Sequence, residues 1–252
     1  MLRVPDLFVQ FEHFAISAHF VFESLAYAVG FALYRWDRRR FGDALDQSNR
    51  NSVIVAAVLG AACGSKLLAA LEEPMAFANA PLAVSLGGKT MVGALLGGTL
   101  AVEWIKRRLG VTQRTGDLFA IPMCMAIAIG RVGCFFSGLS DHTFGSPTNL
   151  PWGVDFGDGI ARHPAQLYEV VFLFLLGLML SWLRRRLPPN GELFRVFLVS
   201  YLGWRLVIDF LKPEPTFAGL SAIQWACLLA LLFYARGTVT MFMPRRQMEA
   251  DG

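Results

Sequence analysis

Seven ionisable residues fall inside stretches that are otherwise apolar: Glu23, Lys66, Lys89, Arg131, Glu169, Arg205 and Asp209. Near a bilayer centre each such charge costs about 2.5–3.5 kcal/mol on insertion scales, so it normally faces a polar interior and marks a functional site. A salt bridge between helices is the competing reading for any one of them. Tyr201, Arg205 and Asp209 recur at i, i+4 and i+8, which sets them on one face of a helix. A guanidinium is a planar fork of donors that matches a phosphate. Tyr201 adds a hydroxyl, and Asp209 can orient the fork. With Arg131 this makes a pair of guanidiniums for one phosphodiester, and a phospholipid headgroup is the natural ligand in such a setting. His19 and Glu23 are also spaced i, i+4, the arrangement of a His–carboxylate pair that handles protons.

These residues need membrane spans to position them. Hydrophobic residues make up 55% of the 252 and charged residues only 17%, against about 25% charged in a soluble domain. The net charge of +4 comes from short basic clusters between apolar runs, a topology signal that gives no reason to expect nucleic-acid binding. About 20 mostly apolar residues cross the hydrocarbon. Runs at 14–34, 52–71, 81–103, 117–137, 165–183, 194–212 and 219–236 therefore predict seven transmembrane helices. The fold class expected is an all-α integral membrane protein with one transmembrane domain over 1–252.

The loops alternate in charge. Arg35, Arg38, Arg39, Arg40 and Arg50 follow the first run; Lys106, Arg107, Arg108 and Arg114 the third; Arg184, Arg185 and Arg186 the fifth; Arg236, Arg245 and Arg246 the seventh. The other loops are poor in Lys and Arg. Positive-inside asymmetry then puts the N-terminus outside, the C-terminus in the cytoplasm, and 138–164 in a periplasmic loop segment. On this topology the intramembrane charges lie at mid-depth or nearer the outer end, as expected for a polar cavity open to the outer face. Gly60/Gly64 and Gly93/Gly97 form GxxxG pairs that permit close helix packing. The N-terminus lacks the usual form of a cleavable signal peptide. Cysteines 63, 124, 134 and 227 lie in apolar runs without a CxxC pair, so neither a disulfide framework nor a metal site is expected, and no cofactor.

The segment Gly130-Arg131-Val132-Gly133-Cys134-Phe135-Phe136-Ser137-Gly138 resembles the signature of prolipoprotein diacylglyceryl transferases. Leu150-Pro151-Trp152-Gly153 and Arg162-His163-Pro164-Ala165-Gln166-Leu167-Tyr168-Glu169 are similar to that family's LPWG loop and RHPxQLYE motif. The run from Tyr201 through Arg205 and Asp209 to Lys212-Pro213 is similar to a third motif, near the last helix. Weaker similarity covers 25–31 and 87–98. The resemblance implies a seven-helix bacterial inner-membrane enzyme. Such an enzyme moves the diacylglyceryl group of phosphatidylglycerol to the lipobox cysteine thiol of a preprolipoprotein, releasing glycerol 1-phosphate. Its partners are those substrates and membrane lipids. It implies phosphate binding by Arg131 and Arg205, a catalytic Tyr201, and support from Asp209, Gly133, His163, Gln166 and Glu169.

The chain departs from the family at the proton-handling positions. The span-three histidine is Val92, the signature asparagines are Cys134 and Ser137, the following glutamate is Leu139, and a first-span tyrosine is Glu23. A polar stretch, 140–145, is longer than in the family. A free thiol is only a few per cent ionised near neutrality, so something must take its proton. Glu23 with His19, Lys89, or His163 are the candidates. The alternatives are a transferase with a different acceptor and a non-catalytic phospholipid-binding or transport protein.

Overall fold

The computed structural model describes residues 2–3, 8–11, 14–79, 88–187, 190–212 and 216–242. Its helices are α1 Ala18–Phe41, α2 Gln47–Glu72, α3 Pro74–Asn79, α4 Met91–Arg108, α5 Asp117–Phe136, α6 Ala165–Leu183, α7 Glu192–Ile208 and α8 Ala222–Phe242. Among the described residues, α2, α5 and α6 are long and apolar enough to cross a membrane, and Ala222–Ala235 is a shorter apolar helix. α1 is long enough, but it carries His19 and Glu23 at one end and a cluster of arginines at the other. α4 ends in Lys106, Arg107 and Arg108.

The helices match most of the apolar runs, and α6 coincides with 165–183. Three differences bear on the site. Residues 14–17 are a strand rather than the start of the first helix. α7 stops at Ile208, and Asp209–Leu211 continue as a 3-10 turn. Helix α4 begins only at Met91, so Lys89 is not helical; it is exposed in the irregular stretch ahead of the helix. The expectation of a helix through Lys89, drawn from the 81–103 run, is therefore corrected. Gly88, ahead of this start, is a poor helix former, about 1 kcal/mol worse than alanine. Residues 81–87, Pro213, Arg245 and Arg246, all used in the sequence reading, lie outside the described residues.

The chain divides into two compact units that interleave along the sequence. The first comprises Met1–Asn51, Leu109–Leu198 and Ile208–Pro213. Here α5 packs against α1 on one side and α6 on the other. Small residues set the approach: a Cβ on Gly30 would meet the Ala126 Cβ at 3.0 Å, and one on Gly133 would meet the Phe22 Cβ at 2.6 Å. Stacked rings, Phe22 on Phe136 and Tyr34 on Phe119, close the two ends of the α1–α5 seam. At the Tyr34 end the basic clusters are partly used up in structure. Arg184 donates to the Asp37 carboxylate at 2.6 Å and to the Asp117 carbonyl at 3.0 Å. The Asp117 carboxylate accepts from the Gly191 and Phe194 amides, which satisfies otherwise orphan donors at the start of α7. Arg50, wholly buried, is paired with Asp43, as is Arg38. Burial pushes the Asp43 carboxyl up, but hydrogen bonds from Arg50 and the Leu45 amide outweigh it and leave it below the usual range.

At the other end a small sheet forms: β1 (Leu2–Arg3) lies parallel to β4 (Val154–Asp155), which is antiparallel to β5 (Ala161–Arg162). A hairpin, β2 (Phe8–Phe11) with β3 (Phe14–Ser17), precedes α1. Between β4 and β5 the Asp155 carboxylate accepts from the amides of Gly157 and Gly159, whose φ of 114° and 81° only glycine adopts readily.

The second unit comprises Ser52–Arg108, Val199–Val207 and Glu214–Gly252. Its centre is a glycine crossing of α2 and α4. A Cβ on Gly64 would sit 2.3 Å from the Gly93 carbonyl oxygen, and one on Gly97 2.3 Å from the Gly60 carbonyl oxygen. The GxxxG expectation is thus met by direct backbone contact. The Thr90 amide donates to Ser65 Oγ at 2.9 Å, and Thr90 Oγ1 donates to the Ser65 carbonyl, tying the start of α4 to α2. α8 opens with a capping box. The Gln224 amide donates to Ser221 Oγ, the Ser221 amide donates to Gln224 Oε1, and the Ile223 amide donates to Glu72. Ser221→Ala is expected to cost about 1 kcal/mol, the usual loss of an N-cap, read as a lowered Tm in detergent.

Candidate functional site

In the first unit the polar residues gather where α5 ends, α1 begins and α6 begins. Arg131 and Glu169 are both buried, and Arg131 Nε lies 3.0 Å from Glu169 Oε2. A buried ion pair persists only with close geometry, because each charge has lost its water. The sequence placed these charges in separate motifs; the fold makes them partners. Arg131 Nη1 also lies 4.0 Å from Cys134 Sγ, one helical turn on. Gly133 holds this turn close to α1, its Cα side facing Phe22 and the backbone of His19.

After α5 the chain turns through a 3-10 turn, Gly138–Asp141, bracketed by left-handed residues Gly138 (φ 61°) and His142 (φ 51°). This turn delivers Asp141 to α1. His19 Nδ1 lies 3.3 Å from Asp141 Oδ1, and His19 Nε2 lies 3.6 Å from Glu23 Oε2. The expected His19–Glu23 pair is therefore formed, with Tyr27 donating to Glu23 at 3.1 Å. Thr143 donates to Asp141 at 2.7 Å and accepts from Gln166, which is wholly buried. Cys134 Sγ, His19 and Asp141 bring their donor atoms within 4.8 Å of one another. This cluster escaped the sequence reading because its members come from three segments with no shared spacing. The only signal was a cysteine standing where the resembling family has asparagine.

The residues of the 138–164 segment and the start of α6 order one another. His163 Nδ1 is 3.2 Å from the Tyr168 hydroxyl, which accepts from Trp152 Nε1 at 2.8 Å. The His163 backbone pairs with Gly145 and Ser146. His163 thus serves the loop, and His142 is exposed. Arg162 holds Asp158 through a pair of 2.6 Å hydrogen bonds and lies over the Phe144 ring. Those bonds keep the Asp158 carboxyl below its ordinary range and raise Arg162 above its own. Asp209, in the 3-10 turn after α7, is 3.3 Å from Lys212. The i, i+4, i+8 face therefore breaks at its third member.

In the second unit, Tyr201 and Arg205 lie one helical turn apart on α7 and both are buried. Val92, at the position of the resembling family's histidine, is 1% exposed and can carry no proton. Lys66 is half-buried on α2.

The model of the prolipoprotein diacylglyceryl transferase family matches residues 6–243. Among relatives named phosphatidylglycerol–prolipoprotein diacylglyceryl transferase, the Bordetella parapertussis protein is 32% identical over 231 residues, 82% of this chain and 86% of that protein. The Geobacter sulfurreducens protein is 28% identical over 257 residues, 98% of each. The Clostridium tetani protein is 27% identical over 235 residues, 89% of this chain and 93% of that protein.

Proposed function

The chain belongs to the prolipoprotein diacylglyceryl transferase family, and we propose from this that it transfers the diacylglyceryl group of phosphatidylglycerol to the lipobox cysteine thiol of prolipoproteins. The observation that carries the reading is the buried Arg131–Glu169 pair, formed by the second residue of the GRVG motif and the last of RHPAQLYE. The thiolate attacks the glyceryl carbon that bears the phosphate oxygen. The carbon–oxygen bond breaks, a thioether forms, and glycerol phosphate leaves with the electron pair. Its growing negative charge is what a guanidinium stabilises. The resemblance assigns that role to Arg131 and to Arg205, with Tyr201 as a hydroxyl donor. Glu169 fixes the Arg131 fork and Gln166 braces the turn that presents Asp141. Asp209 and Lys212 support the end of α7. His19 and Glu23 stand at the acceptor's side of the reaction. Purified protein with labelled phosphatidylglycerol and a lipobox cysteine peptide should yield labelled thioether peptide; lipid binding without any transfer would sink the reading.

A second reading is favoured by Val92. With no proton acceptor at that position, the same scaffold serves a different acceptor or binds phospholipid without turnover. Val92→His separates the two: in a weak thiol transferase it raises peptide labelling, and in a lipid-binding relative it changes nothing.

The setting we propose is the bacterial inner membrane, crossed seven times with the N-terminus outside. The loop charges support it. Alkaline phosphatase fused after residue 145 should be active and after residue 110 inactive; the reverse pattern would overturn the orientation and the outer-face site with it.

A further inference from the structure

We propose that His19, Cys134 and Asp141 bind a divalent zinc ion whose open fourth position takes the acceptor thiol. The proposal rests on the transferase reading for its role, but not for its existence. Imidazole, thiolate and carboxylate are the donor set of zinc, and three protein ligands with one vacant position is the pattern of a catalytic zinc rather than a structural one.

The geometry is close to what the ion needs. Tetrahedral bonds of about 2.0–2.1 Å to nitrogen and oxygen separate those two donors by about 3.3 Å. His19 Nδ1 and Asp141 Oδ1 are 3.3 Å apart. All three donor atoms lie within 4.8 Å of one another, so the sulfur needs to approach by only about an ångström.

The surroundings have the form of a metal site's outer shell. A zinc-bound histidine almost always offers its other ring nitrogen to a carboxylate, a backbone carbonyl or water, which fixes its tautomer and orientation. Here Nδ1 faces the cluster and Nε2 faces Glu23 Oε2 at 3.6 Å, while Tyr27 donates to the other oxygen of Glu23. Asp141 is held by Thr143 through Oδ2, which leaves Oδ1 toward His19. Thr143 is held in turn by buried Gln166. Each ligand except the sulfur is therefore oriented by a second residue, and the sulfur has Arg131 Nη1 at 4.0 Å. A metal ion here also answers the question that Val92 raises. A thiol that coordinates zinc is deprotonated outright, so no histidine need accept its proton.

The step balances without a redox partner. The acceptor thiol binds the vacant position and its proton passes to water at the membrane surface. The thiolate's electron pair forms the carbon–sulfur bond, the carbon–oxygen bond of phosphatidylglycerol breaks, and glycerol phosphate departs with that pair beside Arg131. The thioether is a weaker ligand than the thiolate and leaves the ion.

The test uses the full-length chain in detergent, stripped with a chelator and titrated with Zn²⁺ or Co²⁺ alone. One metal per chain is expected, with the intense near-ultraviolet absorption of a cobalt–thiolate bond. Cys134→Ser should abolish that absorption, Cys63→Ser should keep it, and Glu23→Gln should weaken zinc binding about 10–100-fold. Substoichiometric binding, or an unchanged cobalt spectrum in Cys134→Ser, overturns the site. In the transfer assay the stripped protein should lose at least tenfold in rate and regain it with Zn²⁺. Full transfer by stripped protein overturns the thiol-activating role while leaving diacylglyceryl transfer standing. One tightly bound metal without transfer to any lipobox peptide keeps the site and instead defeats the transferase reading, and with it the role of the ion.

Discussion

Arg131→Ala lowers diacylglyceryl transfer by about 10²–10³-fold, the loss expected when one preorganised donor to a developing negative charge is removed. The buried pair with Glu169 complicates the reading, because alanine strands a buried carboxylate. Breaking one side of such a pair typically costs about 3–5 kcal/mol. Arg131→Lys separates stability from chemistry. It leaves a counter-charge for Glu169, so the protein should insert and melt near the wild-type temperature. It replaces a fork with a point charge, so transfer should stay well below wild type. Arg205→Ala should lose transfer to a similar degree, and Arg35→Ala, on an exposed face at the far end of α1, should be mild. Wild-type turnover in both alanine variants would remove the guanidiniums from the mechanism.

Gly64→Leu unfolds the second unit. The first atom of the new side chain would lie 2.3 Å from the Gly93 carbonyl oxygen and 2.8 Å from the Gly97 Cα. Overpacking usually costs about 1–3 kcal/mol because neighbouring side chains give way. The obstacles here are backbone atoms of a facing helix, which move only if the crossing opens, so the cost lies at or above the top of that range, about 3 kcal/mol. Melting in detergent should show a large drop in Tm and a loss of folded yield. Gly203→Ala is the matched control: a Cβ there meets nothing within 4 Å, and alanine is the better helix former by about 1 kcal/mol. A Gly64→Leu protein that melts like wild type would mean that α2 and α4 do not meet through these glycines.

Much of this was legible in the sequence. Apolar length and bounding charges found α2, α5 and α6, and Gly60/Gly64 with Gly93/Gly97 announced a contact that the fold then makes. The i, i+4 spacing of His19 and Glu23 was sufficient, since both lie on one helix. Four things were not legible, each for a physical reason. Lys89 falls in an apolar run because hydropathy averages over a window and hides where a helix takes its first turn. Asp209 has the spacing of a third member of the face, but spacing carries no mark of where α7 yields to a 3-10 turn. Cys134, His19 and Asp141 converge through left-handed turns at Gly138 and His142, and a positive φ at histidine leaves little trace in sequence. Arg131 and Glu169 were each recognised, but their pairing depends on how α5 packs against α6.

The interleaving of the two units sets an order on biosynthesis. The segment Ser52–Arg108 emerges from the ribosome long before Val199–Val207 and Glu214–Gly252, which complete the same unit. At about 5–20 residues per second, the intervening stretch takes roughly 5–20 s to make. The first unit likewise waits for Ile208–Pro213. Through that interval α2 and α4 are joined by contacts between residues 57–64 and 93–101, since the glycine crossing needs nothing made later. A nascent chain released before residue 199 would carry this crossing without the parts of its unit made later, so quality-control proteases should cut such products last within 57–64 and 93–101.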